Sequence, residues 1–171
     1  MIEKTSEHKS ISVIGSGSWG TALALQLSEK NNPVKMWGRN PANIKNINSA
    51  RENKRYLPGI TIPNNIHLSS DLEEATEGSE IVLLATPSNN FREILIELKN
   101  LKRKFNICWA TKGFEVNTGL LPHNICEEIF GKKQNMAVIS GPSFASEVAR
   151  KKPTAVTIAS NDLTFGQYIA S

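Results

Sequence analysis

The sequence predicts an α/β fold, in which a doubly wound, mostly parallel sheet carries helices on both faces. Short apolar strand patterns alternate with amphipathic helical patterns along the chain, and glycines cluster where the first strand meets the first helix. Strands such as Ile81-Val82-Leu83-Leu84 are apolar on both faces. Such strands belong in a parallel sheet that helices cover on both sides.

The elements alternate in chain order. Strands are predicted at 10–14, 34–37, 66–68, 80–85, 106–110, 136–139 and 154–159. Helices are predicted at 19–30, from Pro41, from Ser70 with Glu73 as a capping box, from 86–87, at 118–130, at 142–148 and from Asp162 as the cap of the last one. Residues 1–9 mix charges without an apolar run and are expected to be a disordered tail, which leaves residues 10–171 as one domain.

The composition is that of a globular protein, with 39% hydrophobic and 21% charged residues. No stretch approaches the roughly 18 apolar residues that cross a bilayer, and the first residues lack the apolar core of a secretory signal, so we expect a cytoplasmic protein. The net charge of +4 comes from short basic clusters at 102–104, 132–133 and 150–152. These are interpreted as solvated helix ends, and with 6% aromatic residues a nucleic-acid partner is not expected.

The cysteines and histidines do not form a metal motif. Cys108 and Cys126 are 18 positions apart and lie in a predicted strand and a predicted helix, which favours free structural thiols. His8, His67 and His123 show no ligand spacing. No metal site is predicted.

The sequence Gly15-Ser16-Gly17-Ser18-Trp19-Gly20 is a G-x-G-x-x-G motif between the first strand and the first helix. The bare spacing is weak evidence, and its position gives it meaning. Gly15 permits a tight turn, Gly17 lets a pyrophosphate approach the backbone, and Gly20 lets the helix press on the sheet. The N–H groups at the helix start then face the phosphates, although a tight turn without a ligand remains an alternative.

The second strand ends in Trp37-Gly38-Arg39-Asn40, where an NAD-specific site usually has an acidic residue. A guanidinium there can bind a 2′-phosphate and stack on adenine. The sequence therefore favours NADP(H), with NAD(H) possible, unless Arg39 is simply an exposed loop residue.

Three later strand ends carry small or donor residues at the edge where parallel sheets bind ligands. They are Ala85-Thr86-Pro87-Ser88, Ala110-Thr111-Lys112-Gly113 and Ser140-Gly141-Pro142-Ser143. Lys112 could meet a phosphate or a developing alkoxide, while Gly141 and Ser143 offer bare backbone and a hydroxyl. A solvated surface lysine is the competing interpretation of Lys112.

Together the motifs G-S-G-S-W-G-T-A-L-A, W-G-R, Y-L-P-G, T-P-S, A-T-K-G-F-E and S-G-P-S-F-A-x-E-V-A resemble bacterial-type NAD(P)-dependent glycerol-3-phosphate dehydrogenase. The resemblance implies a Rossmann-type domain and reversible hydride transfer between NAD(P)H and dihydroxyacetone phosphate, which gives sn-glycerol 3-phosphate for phospholipid synthesis. It also implies site residues: Ser18, Trp19 and Arg39 on the cofactor, Lys112 on cofactor and substrate, Gly141 and Ser143 on the substrate, and Ala145 beside the nicotinamide.

The same resemblance implies that residues 1–171 lack the family's catalytic lysine. The family's general acid/base lysine leads into a helical second domain, so it lies beyond Ser171, and this chain by itself is expected to be inactive. The full-length protein would be a homodimer. Two alternatives stay open: a non-catalytic NAD(P)-binding sensor or docking module, and a related dehydrogenase that acts on another hydroxy substrate.

Overall fold

A computed structural model describes residues 10–29 and 33–171 of the chain. The tail predicted for residues 1–9 lies outside the described residues, as do residues 30–32. In the described part, no helix has the length and apolarity that crossing a bilayer would require.

The secondary structure alternates as predicted. The strands are β1 Ile11–Ile14, β2 Val34–Trp37, β3 Glu52–Asn53, β4 Leu57–Thr61, β5 Ile66–Ser69, β6 Ile81–Leu84, β7 Asn106–Trp109, β8 Met136–Ser140 and β9 Thr157–Ser160. The helices are α1 Ser18–Leu27, α2 Pro41–Ala50, α3 Leu72–Thr76, α4 Phe91–Asn100, α5 Pro122–Phe130, α6 Ala145–Ala149 and α7 Leu163–Ala170. A short 3-10 helix, Ser88–Asn90, leads into α4.

Seven strands form one sheet in the order β5-β2-β1-β6-β7-β8-β9. All neighbours are parallel except the last pair, where β9 runs antiparallel to β8. The chain winds outward from β1 in one direction and then from β6 in the other, which makes the gap between the carboxyl ends of β1 and β6 a topological switch point. The predicted doubly wound, Rossmann-like fold is confirmed.

Helices cover both faces of the sheet because successive strand residues point to opposite sides. Ile81 and Leu83 of β6 pack in the apolar cluster that includes Ala24 of α1 and Ile47 of α2. Val82 and Leu84 pack in a second cluster, with the side chains of α4 and α5. The central strands are thus buried on both faces, as their unbroken apolar sequence predicted.

Two predicted helix starts are wrong. The cap of α3 is Asp71 and not Ser70, because the Asp71 carboxylate accepts from the N–H groups of Glu73 and Glu74 at 2.8 and 3.3 Å. The helix predicted from Thr118 begins at Pro122. Proline restricts the residue before it to extended backbone, and Leu121 has φ −77° and ψ 153°.

Other boundaries shift by a few residues. Helix α1 ends at Leu27, α4 begins after the 3-10 turn, α6 begins at Ala145 and not at Pro142, and β9 begins at Thr157 and not at Thr154. The hairpin β3–β4 was not predicted. Its strands have two and five residues and include Pro58 and Gly59, so neither shows a strand period.

The predicted free thiols are confirmed. Cys108 and Cys126 are unbridged and buried. Burial raises the pKa of each thiol to about 12, since the thiolate would lose its hydration. Both therefore act as small apolar side chains in the core.

Candidate functional site

The glycine turn connects β1 to α1 beside the switch point. Gly15 has φ 129°, a conformation that side chains avoid, and a Cβ there would lie 2.6 Å from the Ala85 carbonyl oxygen. A Cβ on Gly20 would lie 1.9 Å from the Gly15 carbonyl oxygen, so α1 starts in direct contact with the turn. A Cβ on Gly17 would meet nothing within 4 Å, so the space above Gly17 is open.

The first turn of α1 has free donors. Gly17 is the N-cap residue and no side chain caps this end, whereas Asn40 and Asp71 cap α2 and α3. The first N–H groups of a helix have no carbonyl partner one turn earlier, and the helix dipole makes this end positive. The turn therefore has the geometry of an anion site, with room for the anion above Gly17.

Lys112 lies at the carboxyl end of β7 in a cleft of about 410 Å³, which we call the lysine cleft. Its Nζ donates to the Gly141 carbonyl oxygen at 3.3 Å and lies 5.8 Å from the centroid of the Trp19 ring. The lysine cleft is lined by Gly17, Ser18, Trp19, Ala85, Thr86, Pro87, Ala110, Thr111, Lys112, Ser143, Phe144 and Ala145. Four strand or turn ends that are distant in sequence thus meet in one place.

Three buried polar atoms of the lysine cleft have no partner among the described residues. They are Trp19 Nε1, Thr86 Oγ1 and Ser143 Oγ. Buried polar groups are nearly always hydrogen-bonded, so a group of unpaired ones needs an explanation. Their residues line the lysine cleft together with Lys112, so a small polar ligand in this cleft would lie beside them.

The loop that follows Lys112 is linked to α4 and α5 by ion-paired hydrogen bonds. Arg92 of α4 donates to both carboxylate oxygens of Glu115, at 2.6 and 3.0 Å, and to both oxygens of Glu128 of α5, at 2.8 and 3.0 Å. The Arg92 guanidinium, followed by the Thr118 hydroxyl, lowers the pKa of the Glu115 carboxyl. Arg92 therefore holds the loop that carries Lys112.

A second cleft of about 350 Å³, the arginine cleft, continues on the other side of Gly17. It contains Arg39 at the end of β2 and, on the hairpin, Arg55 and Tyr56. The Arg39 guanidinium forms an ion pair with Glu93 of α4 at 2.9 Å, and both side chains are about half exposed, at 48% and 59%. The two clefts share Gly17 and the segment 85–87, so they form one continuous surface across the glycine turn.

The structure brings the sequence-predicted residues together on this surface. Gly15, Gly17 and Arg39 line the arginine cleft, Ser18, Trp19, Lys112, Ser143 and Ala145 line the lysine cleft, and Gly20 and Gly141 lie behind them. Sequence reasoning missed Arg55 and Tyr56 as members of the site. Tyr56 begins the quoted Y-L-P-G motif, which was the available signal, but without the hairpin it had no position in the fold.

A larger cleft of about 690 Å³ lies on the opposite edge of the sheet, at the amino ends of β7 and β8. It is lined by Lys99, Lys102, Arg103, Lys104, Phe105, Asn106, Phe130, Lys133, Gln134 and Asn135. Open parallel sheets bind ligands at the carboxyl ends of their strands, so this basic cleft is not part of the site. Within residues 10–29 and 33–171, no three His, Cys, Asp or Glu side chains gather as they would around a metal ion.

The fold and the site place the chain among Rossmann-type α/β domains, with a glycine turn at the topological switch point of the sheet. The family described as NAD-dependent glycerol-3-phosphate dehydrogenase N-terminus matches residues 10–166, and the chain belongs to this family.

Relatives support the same assignment. The chain is 44% identical over 162 residues to glycerol-3-phosphate dehydrogenase (NAD(P)+) of Haemophilus influenzae and 43% identical over 164 residues to that of Hydrogenovibrio crunogenus. Each match covers 94% of this chain and 48% of the relative, so the chain spans about half the length of these curated relatives. The crystal structure of a glycerol-3-phosphate dehydrogenase from Coxiella burnetii superposes with a TM-score of 0.89 at 38% identity, over 95% of this chain and 50% of that one.

Proposed function

We propose that this chain is the NAD(P)-binding domain of a glycerol-3-phosphate dehydrogenase, which transfers hydride reversibly between NAD(P)H and dihydroxyacetone phosphate and gives sn-glycerol 3-phosphate for phospholipid synthesis. One observation carries the proposal. Lys112, Trp19, Thr86 and Ser143 line one cleft at an end of the glycine turn, and the last three each have a buried polar side-chain atom without a partner among the described residues. Family membership supports the same reaction.

The cofactor fits the surface that joins the two clefts. A bound nicotinamide cofactor would supply or accept the hydride. The N–H groups at the start of α1 would bind its pyrophosphate, with Gly15 and Gly20 shaping the turn and Gly17 leaving the space. Ser18 and Trp19 would contact the cofactor inside the lysine cleft, and Ala145 would border the nicotinamide.

Arg39 would favour NADP(H), with NAD(H) also accepted. The residues directly after β2, Gly38-Arg39-Asn40, are not acidic, and a guanidinium can make charge-assisted hydrogen bonds to a 2′-phosphate. The phosphate would have to draw Arg39 away from Glu93, so the preference for NADP(H) is moderated by an existing ion pair.

Lys112 would act on the substrate. Its ammonium lies 5.8 Å from the centroid of the Trp19 ring, in the cleft that Thr86 and Ser143 also line, and a positive charge there would stabilise negative charge that grows on the substrate oxygen. Gly141 and Ser143 would complete the substrate site with a backbone carbonyl and a hydroxyl. Holding the carbonyl in line with the nicotinamide is itself a large part of such catalysis.

The family's general acid/base lysine would come from a second, helical domain. Curated relatives are about twice as long as this chain, which supports that assignment. In full-length form we propose a cytoplasmic homodimer with small-molecule ligands and no nucleic-acid partner. Sedimentation of a two-domain protein at micromolar concentration tests the dimer, and a single monomeric species would contradict it.

Calorimetric titration of the 171-residue chain tests the binding half of the proposal. We expect NADPH to bind and dihydroxyacetone phosphate to cause no oxidation of NADPH, because the proton donor is proposed to come from the second domain. Lys104→Met, on the opposite edge of the sheet, is the control and should bind NADPH as the unaltered chain does. The proposal would be contradicted if the chain bound neither NADPH nor NADH, or if the pure chain showed substantial turnover.

Fusion of this chain to the second half of the Haemophilus influenzae relative tests the catalytic half. The fused protein should reduce dihydroxyacetone phosphate with NADPH. A folded fusion that binds NADPH without turning over this substrate would instead favour the sensor alternative.

A further inference from the structure

The side chain of Asn53, at the start of the hairpin, is fully buried beneath the glycine turn. Its Nδ2 donates to the Ser16 carbonyl oxygen at 2.9 Å and to the Thr21 hydroxyl at 2.8 Å. The Thr21 hydroxyl in turn donates to the Gly17 carbonyl oxygen at 2.8 Å. Two consecutive carbonyls of the turn are therefore hydrogen-bonded on the side that faces the protein interior.

The direction of these hydrogen bonds follows from chemistry. A carbonyl oxygen only accepts, so the amide nitrogen of Asn53 must face Ser16. In a trans peptide the C=O and N–H groups point in opposite directions. Fixing the carbonyls of Ser16 and Gly17 inward therefore turns the N–H groups of Gly17 and Ser18 outward, toward the shared part of the two clefts.

The turn needs such a restraint because glycine provides none. Residues without a Cβ rotate their peptides at little steric cost. Nothing lies within 4 Å of the Cβ position of Gly17, so the outer side of the turn is open, and the Gly17 carbonyl also accepts from the N–H group of Thr21 at 3.0 Å, the first hydrogen bond of α1. A peptide turned the other way would present a carbonyl oxygen to the phosphates, where like partial charges repel.

Core stability alone does not explain a polar residue here. Asn53 Oδ1 is buried and has no partner among the described residues, which destabilises the fold. A leucine has the same number of side-chain heavy atoms and would bury no unpaired oxygen of its own. The side-chain amide is explained by the hydrogen bond that its nitrogen donates to the Ser16 carbonyl of the glycine turn.

We propose that Asn53 is a positioning residue for cofactor binding, which acts with Thr21 to keep the carbonyls of the glycine turn away from the pyrophosphate. It touches the turn and not the cofactor. The inference rests on the proposed cofactor binding. It adds that a residue of the β3–β4 hairpin, which lies outside the glycine motif, helps to shape the cofactor site.

The test compares two ligands on the Asn53→Leu variant by calorimetry. NADPH carries the pyrophosphate, whereas 2′-AMP carries the adenosine and 2′-phosphate without it. We expect the affinity for NADPH to fall about tenfold, the value of one lost hydrogen bond to a charged group, and that for 2′-AMP to stay within about twofold. Ile47→Val, on the buried face of α2, controls for a loss of stability that does not involve the turn.

A second pair of variants keeps the inference testable if Asn53→Leu does not fold. Thr21→Ser retains the hydroxyl and should bind NADPH normally, whereas Thr21→Val should lose affinity for NADPH and not for 2′-AMP. Unchanged NADPH affinity in folded Asn53→Leu and Thr21→Val would overturn the positioning role, as would equal losses for both ligands. If the unaltered chain binds neither ligand, the proposed function fails first.

Discussion

The two clefts on either side of Gly17 differ in how their polar groups are occupied. In the arginine cleft the main charge is paired, since Arg39 already binds Glu93 and both are half exposed. In the lysine cleft three buried polar atoms have no partner among the described residues, and Lys112 donates to a backbone carbonyl at 3.3 Å. The ion pair on the first side can exchange partners at little cost in water, whereas the unpaired atoms on the second side would gain hydrogen bonds from a ligand that reached them. We expect affinity and cofactor choice on the first side, and chemistry on the second.

The largest effect is expected in the lysine cleft. In a two-domain protein, Lys112→Met keeps much of the stem and removes the charge, so kcat/KM for dihydroxyacetone phosphate should fall on the order of 100-fold or more. Circular dichroism should show a retained fold. A nearly unaltered kcat/KM would mean that Lys112 does not act on the substrate. The proposed division between a binding cleft and a catalytic cleft would then lose its basis.

In the arginine cleft, Arg39→Ala should weaken NADPH binding by roughly 10- to 150-fold, because a charge-assisted hydrogen bond to the 2′-phosphate is lost. NADH should lose much less. Calorimetry with both cofactors decides the point, and equal losses would mean that Arg39 does not read the phosphate.

The loop behind the lysine cleft should respond to pH through Glu115. Its pKa is lowered in the folded chain, so its ion pair with Arg92 stabilises the fold above the ordinary glutamate pKa and loses that effect as pH falls through the lowered value. Arg92→Met should therefore lower Tm by about 2–4 °C at neutral pH, with the difference shrinking below about pH 4. A difference that is constant with pH, measured by thermal melts, would show that the ion pair does not hold the loop.

The smallest effect is expected from Glu93, which competes with a 2′-phosphate for Arg39. Glu93→Gln removes the competing charge, so NADPH affinity should rise about threefold, as befits an exposed ion pair, and NADH affinity should change little. Glu97→Gln, one turn later on α4, is the matched control. Weaker NADPH binding by Glu93→Gln would show that Glu93 supports the cofactor site.

The sequence allowed the fold to be predicted because the decisive signals are local. The glycine turn, the apolar strands and the strand-end positions of Lys112 and Ser143 each follow from a few adjacent residues. The hairpin was missed because Pro58 and Gly59, which are uncommon inside strands, interrupt the strand pattern of β4. Pairs such as Arg39 with Glu93, 54 positions apart, and Asn53 with Ser16, 37 apart, were out of reach because only packing brings them together.

Helix starts failed for a different reason. At Ser70 and Asp71 two adjacent residues can both cap a helix, and the carboxylate succeeds because it accepts from two N–H groups. At Thr118 the periodic pattern began too early, and Pro122 fixed the true start. Periodicity locates an element, whereas hydrogen bonding at its end determines its first residue.

The contact between Trp19 and Lys112 also has an optical consequence. Trp37 and Trp109 are buried, at 6% and 5% exposure, while Trp19 faces the lysine cleft with an ammonium 5.8 Å from its ring. A nearby cation shifts the emission of an indole, and a ligand that displaces the cation or stacks on the ring shifts it again. Trp37 borders the arginine cleft, whereas Trp19 is the tryptophan that lines the lysine cleft, so its fluorescence would report on the contents of that cleft and on events at the reacting end without any added label.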